Sequence, residues 1–149
     1  MCWLRSPTER LPTVLSPSLA TVRIFLHVLA AAIWVGGQIT LAGLVGGLRA
    51  IHPDAPRTMA RAYNRIAWPA FALLFATGIW SIAAIKVSDT STAYQVTLAL
   101  KLVMVVVAGL ASAVHVVSKS KAALAIGGAL GLLGSLAATF LGVLLHNGG

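Results

Sequence analysis

His27, Lys101 and His115 stand inside long apolar runs, and His146 closes the last of those runs. Ionisable side chains at such positions are costly, so they are candidates for function. An imidazole can ligate a metal, and iron suits it. An ammonium in apolar surroundings needs an anionic partner. The apolar runs, about 22–48, 66–85, 96–117 and 122–145, contain no Asp or Glu. That argues against a carboxylate proton relay, a cation pump built on acidic ligands, and a hydrolase with paired carboxylates.

Trp34 and Gln38 follow His27 seven and eleven residues on. At about 100° per residue the three share one helix face with Ala31. A stripe of imidazole, indole and amide with glycines beside it could line a cofactor slot. The plainer reading is a histidine hydrogen-bonded to a neighbouring helix, with Trp34 as ordinary packing. Lys101 has Met104, Ala108 and Ser112 on its face. It either snorkels to the headgroups or points inward. Pointing inward, it finds no carboxylate in the spans, and its partner is a lipid phosphate or a bound anion.

The elements that position these residues follow from composition. Of 149 residues, 58% are hydrophobic and 9% charged. A soluble domain carries roughly 45–50% apolar and about 25% charged residues. Each apolar run is long enough to cross a hydrocarbon core of roughly 30 Å. The chain therefore reads as an all-α, transmembrane four-helix bundle in a lipid bilayer. A polar N-terminal tail (1–21) precedes the four-helix membrane domain (22–146), and a short tail (147–149) follows. Arg5, Glu9, Arg10 and three prolines break up the first 20 residues, which makes a poor signal peptide. That stretch reads as a polar tail or as the product of a misplaced start codon. Cys2 is the only cysteine, so neither an internal disulfide nor a thiolate cage is expected.

Gly43 and Gly47 in the first run, and Gly127, Gly128, Gly131 and Gly134 in the fourth, are a close-packing signature. Such faces serve the bundle itself, a homo-oligomer or a larger membrane complex. Pro53 and Pro56 mark the first connector, Arg49 to Arg57. Arg57, Arg61 and Arg65 line one face at the start of the second helix, with Trp68 above them as an interfacial anchor. Pro69 is expected near that helix's start, where a missing N–H does little harm.

The net charge of +8 comes from 11 Lys+Arg against 3 acids. The basic residues sit at the ends of apolar runs, which points to membrane topology and not to nucleic acid. Arg49, Arg57, Arg61, Arg65, Lys119 and Lys121 make six on one side, against Arg5, Arg10, Arg23 and Lys86, four on the other. The bias places both termini outside the inner membrane and the two basic hairpins in the cytoplasm. His27, Lys101 and His146 then lie near the outer face, with His115 and His52 near the opposite one. Two histidine pairs, one per leaflet, would suit two axially ligated haems.

The segment from His27 through Trp34 to Gly36-Gly37 resembles the first helix of the copper resistance D (CopD) family. Arg61 to Trp80, with Pro69-Ala70 and Gly78-Ile79-Trp80, is similar to the second helix of HemJ-type protoporphyrinogen oxidases in the wider group. Leu100-Lys101-Leu102 is similar to the family's lysine at the start of helix three. The resemblance covers about residues 22–145 and implies a four-helix membrane module. In the HemJ branch it implies a membrane oxidoreductase with haem b on His27 and with Lys101 needed for activity. In the copper branch it implies copper uptake or tolerance. HemJ-type chains carry Leu-Pro-Arg after the first helix, where this chain reads Gly46-Gly47-Leu48-Arg49.

Three functions follow as expectations. The first is a haem or porphyrin protein, with His27 as axial ligand, Trp34 and Gln38 lining the cofactor and Lys101 on a propionate. The second is a copper handler drawing ligands from His27, Met104, His115 and His146. Soft Cu(I) prefers sulfur ligands, and Met104 is the one methionine inside a span. The third is a non-catalytic subunit or scaffold.

Overall fold

The computed structural model describes residues 17–148. Cys2, Gly149 and the first sixteen residues of the expected tail lie outside the described residues. Four helices follow in order: α1 (Leu19–Ile51), α2 (Ala55–Ala83), α3 (Thr92–Val117) and α4 (Lys121–Asn147), with a 3-10 turn at Val87–Asp89 between α2 and α3. All four are long and apolar enough to cross a membrane.

The helices outrun the apolar spans because caps, not hydropathy, set their ends. Ser18 and Thr21 form a reciprocal capping box at the start of α1, satisfying backbone donors that would otherwise have no partner. At the other end His52 is extended, at φ −159° and ψ 138°, the conformation imposed on a residue preceding proline. Pro56 sits in the first turn of α2, where its missing N–H costs nothing. Arg57, Arg61 and Arg65 therefore lie in the first turns of α2, at the helix start expected of them, and the connector is shorter than Arg49 to Arg57. Pro69, expected near a helix start, is interior to α2 and leaves the Arg65 carbonyl without its usual donor. Transmembrane helices tolerate this because neighbouring groups re-satisfy the backbone.

Packing is carried by small residues. The buried apolar side chains among the described residues are Ala30, Trp34, Ala67, Ala70, Ala108 and Ala138. Large apolar side chains such as Phe25, Val28, Phe75, Val103, Leu110, Leu133 and Phe140 face outward on every helix. Water would not tolerate so continuous an apolar surface, whereas acyl chains would. The chain is a multi-pass membrane protein.

The helices form two hairpins. α3 and α4 approach backbone to backbone. A Cβ added at Gly127 would meet the Ala111 carbonyl oxygen at 2.8 Å, and one at Gly134 would meet Ala108 N at 3.2 Å. α1 and α2 are held by aromatic side chains instead. Trp34 lies 4.5 Å from Phe71 and 5.7 Å from Trp68, centroid to centroid. Trp68, expected as an interfacial anchor, is thus half-buried against Trp34. The hairpins meet where α1 touches α4 and where Phe71 of α2 lies over Gly109 of α3.

Candidate functional site

Ring orientation at His27 is set by α2. His27 Nδ1 lies 2.8 Å from Thr77 Oγ1, and Thr77 is 3% exposed. Thr77 Oγ1 lies 2.7 Å from the Leu73 carbonyl oxygen, one turn back on its own helix. A carbonyl has no proton, so a contact this short requires the hydroxyl to donate. With its single proton used there, Thr77 can only accept from the ring. His27 therefore donates Nδ1–H, and in the neutral ring Nε2 carries a bare lone pair. No protein group among the described residues hydrogen-bonds Nε2. The Cε1 edge of the ring faces Gly78, where a Cβ would stand 3.8 Å away in ordinary contact.

Lys101 lies at the level of His27: Trp34 of α1 meets Ser135 of α4, and seven residues along each of these antiparallel helices His27 is level with Gly142, which the Lys101 ammonium overlies. It does not run along α3 to the helix end. A Cβ built on Gly142 of α4 would stand 3.0 Å from Lys101 Nζ. Gly134 faces Ala108, and seven residues onward on each antiparallel helix Leu141 faces Lys101. The ammonium thus crosses to α4 near the level of its own Cα, and the missing side chain at Gly142 makes room for it. Among the described residues Lys101 has no ion-pair partner, because the single ion pair joins Arg57 and Asp54.

Arg23 lies one turn before His27, on the same face of α1. Its guanidinium carbon stands 6.0 Å from the centroid of the Trp80 ring, within cation–π range. Its Nε is buried with no hydrogen-bond partner among the described residues.

Trp34 and Gln38 face a different task from the one their stripe suggests. Trp34 Nε1 donates to Ser135 Oγ on α4 at 2.9 Å, and Gln38 Nε2 lies 3.5 Å from the same oxygen. Ser135 in turn donates to the Gly131 carbonyl at 2.7 Å. Trp34 is 4% exposed, so its ring is surrounded by other helices and has little surface to offer a ligand. Tyr63 closes the same region by donating to the Trp34 carbonyl at 2.6 Å, its ring lying against Gly37.

The remaining expected ligands are dispersed. His115 donates Nδ1–H to the Leu124 carbonyl at 2.6 Å, clasping α3 to α4 at the end of the bundle away from His27. His146 is exposed in the last turn of α4, and Met104 is half-buried on α3. His52 takes part in the α1–α2 turn by accepting from Asp54 N. No group of three or more His, Cys, Asp or Glu is assembled among the described residues. Two cavities lie away from His27. One of about 420 Å³ is at the α1–α2 turn around Leu48, His52 and Met59, and one of about 110 Å³ is between Tyr94, Thr97 and Leu144.

Sequence reasoning missed Thr77, Gly142 and the role of Arg23. The available signal was the small polar residues within the spans, of which Thr77 and Ser135 hydrogen-bond ring nitrogens of α1. Searched against protein-family models, curated proteins and solved structures, the chain matches none of them.

Proposed function

We propose that this chain is an inner-membrane cofactor protein that holds haem b near the outer face through His27, for redox or cofactor handling. One observation carries the reading. The committed Thr77 hydroxyl fixes the tautomer that leaves His27 Nε2 free, and metal-ligating histidines are oriented in this way through their other nitrogen. A single imidazole suffices as an axial haem ligand. A copper cage needs several ligands, and Met104, His115 and His146 are spread over two helices and both ends of the bundle.

The residues present fit the group. Thr77 holds the ring plane, His27 Nε2 offers the donor, and Lys101 supplies a cation for an acidic substituent. When bound, haem supplies a one-electron couple. The Lys/Arg bias supports placing the His27 end outside. The CopD/HemJ resemblance supports the same residues, His27 and Lys101, and on the HemJ branch an oxidoreductase of protoporphyrinogen oxidase type.

The test is a visible spectrum of the purified chain from haem-replete cells. We expect a Soret band that His27→Ala abolishes. Stoichiometric copper without a Soret band would instead support the copper reading. A second reading, a non-catalytic subunit, is favoured by the α1 glycines. Gly36, Gly43, Gly46 and Gly47 have open space where a side chain would stand, a surface free to pack on a partner helix. A chain with neither chromophore nor copper would leave this reading.

A further inference from the structure

Arg23 and Lys101 both lie at the level of His27, and no acid among the described residues pairs with either. Arg23 stands one turn before His27 on α1, leaning toward Trp80 of α2 with a buried, unpartnered Nε. Lys101 approaches from the other hairpin, its ammonium held over Gly142 of α4. Of the two described acids, Asp54 pairs with Arg57, and Asp89 is exposed and accepts from Ser88 at 3.2 Å. A buried guanidinium nitrogen without a partner is costly, as is an ammonium kept from the headgroups. Both costs are relieved by the same agent, an oxyanion seated between α1 and the α3–α4 hairpin. The rest of α1 at this level is exposed and apolar, with Ile24 and Val28 on its outer surface, so the body carrying the anion is apolar.

We propose that Arg23 and Lys101 form an anion clamp around His27, selecting an amphiphile whose acidic groups are carboxylate or phosphate. This rests on the His27 reading for the identity of the ligand but not for its charge. Arg23 acts as a binding residue in its own right. Neutralising the acidic groups of the ligand removes the charge-assisted hydrogen bonds that distinguish it, and each such bond is worth about ten-fold in affinity.

The experiment compares iron protoporphyrin IX with its dimethyl ester, titrated into the full-length chain in nanodiscs of zwitterionic lipid. The expected result is a preference for the free acid of at least about ten-fold. That preference should fall in Arg23→Gln and in Lys101→Met, and Arg23→Lys should recover part of it. The ester comparison on the unaltered chain needs no variant to fold. In a second arm, native mass spectrometry counts phosphatidylglycerol retained against phosphatidylcholine. If neither porphyrin binds, but phosphatidylglycerol is retained by the unaltered chain and lost in both variants, the clamp stands with a lipid phosphate as its ligand and the haem reading fails. Equal affinity for acid and ester overturns the clamp. So does phosphatidylglycerol retention that neither Arg23→Gln nor Lys101→Met changes.

Discussion

Two links from α1 to its neighbours use the same local chemistry and end differently. Ser135 and Thr77 each give their hydroxyl proton to a carbonyl one turn back on their own helix. Each is thereby converted into an acceptor for a ring N–H of α1, from Trp34 in one case and His27 in the other. Indole has a donor and nothing more, so at Trp34 the chemistry closes and what remains is a bolt between the hairpins. Imidazole has a second nitrogen, so at His27 the same arrangement leaves a lone pair without a protein partner among the described residues. Identical anchoring thus gives a structural contact from one ring and a candidate ligand site from the other.

The contrast between hairpins can be broken hardest at Gly127. Its added Cβ meets Ala111 O at 2.8 Å and His115 N at 3.0 Å, both backbone. Backbone cannot swing aside, so Gly127→Val must force α3 from α4. We expect about 3 kcal/mol of lost stability, at the upper end for overpacking, measured by unfolding in mixed micelles. Gly43→Ala, with open space around it, is the control and should be nearly neutral.

A smaller effect sharpens the two links themselves. Thr77→Val removes the acceptor that orients His27, and haem affinity should fall about ten- to hundred-fold, as for other second-layer changes. Thr77→Ser should retain most of it. Ser135→Ala, measured the same way, should leave haem affinity nearly unchanged. It should cost about 1 kcal/mol of stability, because interhelical hydrogen bonds in bilayers are modest.

Four helices were legible from apolar length alone, since lipid demands it and water forbids it. Their ends were not. The arginines at 57, 61 and 65 lower the hydropathy of a segment that is helical all the same, which moved the expected start of the second helix to residue 66. His27 and Lys101 were legible by type and depth. Their partners were not, because a helix that is apolar on all faces gives no periodic signal of which face meets protein. For that reason Trp34 and Gln38 read as cofactor lining beside His27, whereas the bundle turns them onto Ser135. Pro69 was misplaced for a related reason, its position being judged from where hydropathy began.

The tautomer of His27 bears most directly on whether this ring is a ligand or a packing residue. It can be read by nitrogen-15 NMR on histidine-labelled chain in lipid, at a pH where the ring is neutral. We predict a protonated Nδ1 and a bare Nε2, with that preference lost in Thr77→Val. A proton found on Nε2 in the unaltered chain would mean that Thr77 donates to the ring, and would contradict the assignment of Nε2 as the nitrogen offered to a cofactor.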